Sequence, residues 1–383
     1  MAKYDVHIVG AGPAGSMAAK SAAESGLRVL VSEQHAKIGE PVQCSGHISA
    51  SGMREIEKMG VPYEKTVLNK IHGCTAYGKN NNFHVRSREP KALVIDRAEL
   101  DVLFSQAAQD AGAEIKMCDN VKSVSDLHAQ NVIGADGANS QIARLFNFDA
   151  IEMRNYVMCM QADCNYSLPV KDEVDVHLSQ EIAPGFFGWA IPVNEEVTKI
   201  GLGVRAGLPV RDYFNRFIQQ KYPEARGKEI SKLAGLIPLK PRKKTAITNI
   251  HGKRNILLVG DAAGQVKAST GGGVLFGAVC GKFAGELIAK ETAATEYERA
   301  WRARFQADLS LHYGARRLLN TLGDVRLDQL LNMARMLKAD SFLEKYGDMD
   351  FPSRTLRQAD MKSFNILTPI VQGMLNLASQ GGI

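Results

Sequence analysis

Val6-His7-Ile8-Val9-Gly10-Ala11-Gly12-Pro13-Ala14-Gly15 is the stretch that decides the fold. Val6–Val9 predicts a buried strand, and the residues after it a glycine-rich turn entering a helix that continues through Ser16–Ser25. A second strand follows over Arg28–Val31, and an acid, Glu33, closes the unit. Each part has a physical task. Gly10 allows the tight turn, Gly12 lets a pyrophosphate approach the backbone, and Gly15 lets helix and strand pack closely. The helix N-terminus offers unpaired N–H groups and the positive end of a dipole. Glu33 stands 18 residues after Gly15, where a carboxylate accepts hydrogen bonds from both ribose hydroxyls. Its charge repels a 2′-phosphate, so the expected dinucleotide is NAD or FAD.

Asn255–Gly264 reads as a second buried strand running into a turn that carries Asp261. Thr270-Gly271-Gly272-Gly273-Val274 and a helix to about Lys290 come next. A distant second glycine turn suits a long cofactor whose far half also needs backbone contacts. Asp261 is placed to bond a ribityl hydroxyl. N–H groups around Gly272, Gly273 and Val274 suit the edge of a flavin where negative charge collects on reduction. Asp261 also reads as a simple N-cap after a strand, but that leaves the three-glycine run unexplained. Asp96-Arg97 opens a helix after the strand Ala92–Ile95, and Arg97 either reaches a phosphate or makes a local surface ion pair. Val132–Ser140 is a further strand entering a Gly/Asp turn.

With these four motifs in order, residues 1–295 resemble the FAD flavoproteins of the p-hydroxybenzoate hydroxylase type. The resemblance implies FAD held by Gly10, Gly12, Ala14, Gly15, Glu33, Arg97, Val121, Asp261 and the Gly272–Val274 turn. It also implies contacts from Cys44, Ser45 and Gly46 in the loop after the second strand.

A chain of 383 residues is too long for one ordinary core, so two domains are expected. No run approaches about 18 apolar residues, so no spanning helix is predicted. The first strand starts so early that a signal peptide is not expected, and the expected compartment is cytoplasmic. The six cysteines, Cys44, Cys74, Cys118, Cys159, Cys164 and Cys280, show no C-x-x-C spacing, so neither a zinc site nor a disulfide framework is suggested. The formal charge is +6, with basic groups at Lys240–Lys244, Lys253–Arg254, Arg299–Arg304 and Arg316–Arg317. These read first as solvated faces. They also suit an anionic head group or an anionic membrane surface. No nucleic-acid-binding module is present.

The expected fold class is α/β, with a Rossmann-like dinucleotide domain in three pieces: 1–70, 96–150 and 250–295. Residues 71–95 and 151–249 are expected to form an α+β substrate domain around an antiparallel sheet. Its strands are Ile71–Tyr77, Phe83–Val85, Tyr156–Asn165, Val174–Ser179, Gly188–Pro192 and Lys199–Arg205, with a turn at Asn80-Asn81-Asn82. Residues 296–383 read as mostly helical, broken at Pro352 and Pro369.

Two segments point to a substrate. Gly39-Glu40-Pro41-Val42-Gln43-Cys44-Ser45-Gly46-His47 brings a thiol and an imidazole close to where the flavin ring belongs. A small buried residue and a satisfied loop histidine are the plainer readings of Cys44 and His47. In Pro184–Pro192 a strand places Phe187, Trp189 and Ile191 on one face and Gly188 and Ala190 on the other. An aromatic core strand is the plainer reading here.

Together these segments resemble the geranylgeranyl reductase family, whose loop has the form G-E-P-x-x-C, matched by Gly39, Glu40, Pro41 and Cys44. The family's strand has the form P-x-x-Y-x-W-x-F-P. Pro184, Trp189 and Pro192 match it, whereas Phe187 replaces Tyr and Ile191 replaces Phe. The wall stays apolar and loses a phenolic hydroxyl. The resemblance implies saturation of isolated double bonds in isoprenoid chains, most closely those of archaeal-type geranylgeranyl ether phospholipids. Flavin delivers hydride to one alkene carbon and a proton reaches the other. Without a carbonyl to spread charge, protonation leads or accompanies hydride transfer. The face of Trp189 is then expected to stabilise developing positive charge by roughly 1–2 kcal/mol. Cys44 either positions substrate or takes part in proton delivery, with His47 beside it. The expected partners are an isoprenoid lipid and an electron donor, NAD(P)H or a ferredoxin-type carrier. Phe364–Leu377 reads as a packing helix or an interfacial one giving peripheral membrane contact. The alternatives are reduction of a geranylgeranylated chlorophyll precursor or prenylquinone, a flavin monooxygenase, and a prenyl-binding escort protein without catalysis.

Overall fold

The computed structural model describes residues 3–248 and 255–358. It is a mixed α/β structure built on three sheets. The first has six strands, in spatial order Ala246–Thr248, Asn255–Leu258, Asn131–Gly134, Val6–Val9, Val29–Ser32 and Glu114–Lys116. All neighbours are parallel except the first two. Val6–Val9 lies inside this sheet and is buried throughout, as a parallel strand covered on both faces must be.

The helix after it, Pro13–Glu24, starts inside the glycine motif, with Pro13 in its first turn. Proline is favoured there because its missing N–H costs nothing and its φ suits the helix. This helix lies against Val274–Leu287, and two glycines set the separation. A Cβ on Gly281 would lie 2.1 Å from the Ala14 carbonyl oxygen, and one on Gly285 2.3 Å from that of Ala18. The two glycine turns are therefore locked to one another through backbone contact.

The second sheet has seven strands: Glu229–Pro238, Tyr156–Cys164, Thr198–Arg205, Gly188–Pro192, Glu173–His177, Gly73–Tyr77 and Asn82–Arg86. It is antiparallel apart from one pair, since Glu173–His177 runs parallel to Gly73–Tyr77. The wholly antiparallel expectation is corrected at that point.

The single strand expected over Ile71–Tyr77 is two strands. Val67–Ile71 pairs with Ala92–Ile95 in a small third sheet that also holds His47–Ser49, and Gly73–Tyr77 joins the large one. The Asp172 carbonyl accepts from both His72 N (2.8 Å) and Gly73 N (3.3 Å), which turns the chain between sheets. Asn82 belongs to a strand, and the Asp328 carboxylate accepts from the backbone N–H groups of Asn80 and Asn81 at the turn before it. The edge strand Glu229–Pro238 was not anticipated.

Ala92–Ile95 is the hinge of the architecture. Leu93 and Ile95 enter the large core beneath the dinucleotide sheet, while Ala92 and Val94 pack with Val174 and Ile191 of the second sheet. Alternation along one strand thus joins two cores.

Helices follow from Ala293, first Ala293–Thr321, which buries Tyr297, Trp301, Phe305 and Leu309 at helical spacing. Pro352 does not break a helix; it starts Pro352–Gln358. Pro369 and the Phe364–Leu377 segment lie outside the described residues. No described helix is long and apolar enough to cross a membrane.

Candidate active site

The first glycine turn is shaped as its residues dictate. Gly10 has φ +101°, and a Cβ there would lie 2.4 Å from the Ala135 carbonyl oxygen. A Cβ on Gly15 would lie 1.9 Å from the Gly10 carbonyl oxygen, whereas one on Gly12 meets nothing within 4 Å. The space above Gly12 is open, and no side chain caps the helix there. Glu33 Oε2 accepts from Ala11 N at 2.9 Å, and Oε1 accepts from His35 N at 2.9 Å. The carboxylate is therefore fixed at the rim of that opening. Val121 sends its side chain into the core with Val9, Val132 and Phe148.

The second turn meets the first through Gly260, where a Cβ would lie 2.9 Å from Ala14 Cβ. Asp261 faces Gly273, since a Cβ on Gly273 would lie 2.9 Å from Asp261 Oδ1. Removal from solvent pushes the Asp261 carboxyl up to about 6, although Arg97 acts in the opposite direction. Lys267 N donates to the Gly272 carbonyl (3.1 Å), and Gly271 N to the Lys267 carbonyl (2.8 Å), closing the loop that enters the helix at Val274. The Lys267 side chain lies behind Gly272 and pairs with Asp350 Oδ1 at 2.5 Å.

The Cys44–His47 loop is held from both sides. Ile95 N donates to the Gly46 carbonyl (2.9 Å), and Lys199 Nζ to the Ser45 carbonyl (3.0 Å). Gly46 N points to Cys44 Sγ at 3.4 Å, and His47 N to Ser45 Oγ at 3.3 Å. Arg97 is buried, paired with Asp101, and lies against Cys44. Its ion pair is local but sits inside the protein, beside the thiol. His47 is enclosed. Burial, with the charge of Lys267, holds its pKa down at about 4, so the imidazole is neutral.

The aromatic strand lines the second sheet. Phe187 precedes Gly188–Pro192 and meets Trp189 edge-on at 5.7 Å, while Phe186 stacks on Phe187 at 4.3 Å. The Trp189 indole covers Gly201, where a Cβ would come within 2.6 Å of the ring. Ile191 shares this side and is buried, whereas Gly188 and Ala190 pack toward Phe217 and its neighbours on the other. Trp189 Nε1 donates to Gln161 Oε1 at 2.9 Å.

Four buried polar atoms among the described residues lack any partner: His47 Nε2, Arg97 Nε, Gln161 Nε2 and Asp163 Oδ1. His47 and Arg97 border the Cys44 loop, and Gln161 and Asp163 lie on the strand beside it. Orphaned polar atoms, the open glycine turn and the rim carboxylate together fit a large polar cofactor bound between the two turns, as FAD requires. Two surface depressions, of about 320 and 360 Å³, lie elsewhere, beside Gly60 and Leu103 and beside Asn80 and Tyr222.

Sequence reading did not single out Gln161, Lys267 or Asp350, and it read Arg316 as part of a solvated face. Arg316 is only 2 % exposed. It donates to the carbonyls of Ala268, Phe186 and Ser269 and lies 4.5 Å from the Phe186 ring centre. Burial lowers its pKa to about 10. Arg242 is likewise buried, bonded to the carbonyls of Ala262 and Asp149. Lys253 and Arg254 lie outside the described residues. No group of acids, histidines and cysteines suited to a metal occurs among the described residues.

Comparison with known proteins matches residues 3–126 to an FAD binding domain and residues 155–237 to the geranylgeranyl reductase catalytic domain. A digeranylgeranylglycerophospholipid reductase of Methanothrix thermoacetophila is 30 % identical over 367 residues, covering 86 % of this chain and 91 % of its own. The enzyme of the same name from Methanosarcina mazei is 30 % identical over 381 residues, covering 88 % and 89 %. The crystal structure of a geranylgeranyl bacteriochlorophyll reductase-like protein from Thermoplasma acidophilum superposes with a TM-score of 0.80 at 22 % identity, over 98 % of this chain and 99 % of that one. A probable FAD-dependent monooxygenase from Pseudomonas aeruginosa shares the fold at a TM-score of 0.64 and 16 % identity, over 83 % and 96 %.

Proposed function

The chain belongs to the digeranylgeranylglycerophospholipid reductase family, and from that premise we propose that it saturates isolated double bonds of geranylgeranyl chains on archaeal-type ether phospholipids. It is an FAD-dependent oxidoreductase of membrane-lipid biosynthesis. When bound and reduced, FAD supplies the hydride. Gly10, Gly12, Ala14 and Gly15 leave room and N–H donors for the pyrophosphate, and Glu33 holds the adenosine ribose. Asp261 and the Gly272–Val274 turn serve the flavin half, with Arg97, Ser45 and Gly46 closing the middle. Val121 contributes through its main chain.

The protein's remaining work is to hold a greasy chain dry and provide a proton. Phe186, Phe187, Trp189 and Ile237 cluster together, and Gly235 lowers the sheet floor. A Cβ on Gly235 would meet only the Gln43 carbonyl, at 3.7 Å. That relief suits an isoprenoid tail lying between sheet and loop. Cys44 lies at the same loop with Arg97 beside it, which suits a thiol that positions the alkene or relays a proton. His47, held neutral by burial and by the charge of Lys267, borders the loop without carrying an acidic proton to give. The exposed Lys240, whose ammonium lies over Tyr313 at 5.6 Å, is suited to the anionic head group, because Tyr313 packs against the Phe186 cluster. Electrons arrive from NAD(P)H or a ferredoxin-type carrier, and the lipid is collected by peripheral contact with the membrane surface.

The observation that carries this reading is the loop Cys44–Gly46 pinned to the aromatic sheet by Lys199. The test is anaerobic reduction of a geranylgeranyl ether phospholipid by the dithionite-reduced, FAD-loaded protein. Mass spectrometry should show two hydrogens gained per double bond. No saturation under these conditions, with hydroxylation of the substrate once air is admitted, would overturn the reading.

A further inference from the structure

Gln161 lies in the strand Tyr156–Cys164 and is 1 % exposed. Its two amide ends are in different situations. An indole N–H only donates, so the atom facing Trp189 Nε1 must be the carbonyl oxygen, Oε1, at 2.9 Å. That fixes the amide against a flip and leaves Nε2, with two N–H donors, buried and unpartnered. A buried donor without an acceptor is costly, and native proteins retain such groups chiefly where something else satisfies them.

Strand register locates the unsatisfied end. Gln161 pairs with Gly201 on one side and Leu233 on the other. One step along, Cys159 pairs with Gly235, and Asp163 pairs with Lys199. Gln43 reaches Gly235, and Ser45 is bonded by Lys199. The segment between them, Cys44, therefore crosses the central strand diagonally above Gln161. The orphaned amide lies under the thiol loop, beside the Trp189 indole and the open floor at Gly235.

An isoprenoid tail offers this donor nothing but carbon. The acceptor it carries is the oxygen joined to its first carbon. Resting on the reductase reading above, we propose that Gln161 Nε2 binds the ether or hydroxyl oxygen at the head-group end of the prenyl chain, and so selects the double bond nearest that oxygen for reduction. Distal double bonds are presented without this contact, when the chain is withdrawn toward the mouth and its oxygen lies outside the reach of Gln161. Gln161 is then a substrate-specificity residue, held in register by Trp189.

The test compares two substrates of equal length and unsaturation, a geranylgeranyl glycerol ether and a C20 polyene hydrocarbon without oxygen. It uses FAD-loaded wild type and Gln161→Leu. Wild-type saturation of both substrates establishes the reductase reading separately from the role of Gln161. The substitution removes the partner of Trp189 for both substrates, and is expected to lower kcat/KM for the ether about tenfold more than for the hydrocarbon, mainly through KM. The first double bond of the ether should survive in the products. FAD content and indole fluorescence report folding. A Gln161→Glu variant keeps the acceptor for Trp189 but loses both donors when ionised. Its ether turnover should recover as pH falls and the acid regains an O–H donor. An equal loss on both substrates assigns the amide to the alkene or to a bound water and overturns the proposal. Loss of FAD assigns it to the cofactor, and an unchanged product pattern removes it from the site.

Discussion

Lys267 Nζ and Asp350 Oδ1 lie 2.5 Å apart, across 83 positions of sequence. The residues are 5 % and 2 % exposed. Asp350 also accepts from Ser49 Oγ, and Lys267 Nζ donates to the Met349 carbonyl at 3.2 Å. One buried carboxylate thus joins the second glycine turn, the strand that carries His47 and the segment ahead of Pro352–Gln358. Its position ties the segment that enters the last described helix to the second glycine turn.

Removing half of this pair strands the other charge. Asp350→Ala should destabilise the protein by about 3–5 kcal/mol in urea unfolding and reduce FAD retention, because the Gly271–Gly273 turn loses its backing. The double replacement Lys267→Met with Asp350→Leu should recover most of the stability. A loss below about 1 kcal/mol for Asp350→Ala would mean that the pair is solvated.

FAD affinity should depend on pH through Asp261. Burial raises its carboxyl to about 6 in the absence of a donor. A ribityl hydroxyl donating to it favours the charged form, so binding releases a proton. Affinity should therefore rise as pH increases toward about 6 and level off above, by at most tenfold per unit. Flavin fluorescence titrations from about pH 5 to about pH 7.5 check this, and Asp261→Asn should flatten the curve. An affinity that falls with rising pH would remove Asp261 from the flavin site.

Trp189→Ala should slow alkene reduction while dithionite still bleaches the flavin. The indole fills the space over Gly201 and holds Gln161, so its loss opens the chamber wall. Trp189→Phe should retain part of the rate, since a ring face remains without the N–H. Single-turnover kinetics separate the two effects. Full activity in Trp189→Ala would make the aromatic strand a core element only.

Cys44→Ser should keep FAD and change how many double bonds are saturated more than whether any are. Serine preserves size and a donor, whereas the loop at Gly46, where a Cβ would lie 2.3 Å from the Ile95 carbonyl oxygen, tolerates little displacement. Product distributions by mass spectrometry, at matched flavin content, provide the comparison. Identical rates and distributions would leave Cys44 as a packing residue.

Local chemistry made much of this protein legible in its sequence. The strand at Val6–Val9, the φ requirement at Gly10 and the small residues at Gly12 and Gly15 act within a few residues of one another, and the acid at Glu33 follows at the spacing that one helix and one strand impose. The same holds for the turn after Asn255–Leu258 and for the alternation at Trp189 and Ile191. Such features are set by sterics and periodicity, which neighbouring residues determine. Other properties depend on segments far apart in the chain. Whether Arg316 is solvated depends on the carbonyls of Phe186, Ala268 and Ser269, and sequence offered only a basic pair. The split at His72 required the Asp172 carbonyl. The edge strand Glu229–Pro238, the buried Lys267–Asp350 pair and the orientation of the Gln161 amide exist only because distant strands and helices close around them. Burial sets the energetic cost of a charge or an unpaired donor, and burial is a property of the assembled structure, not of the residue.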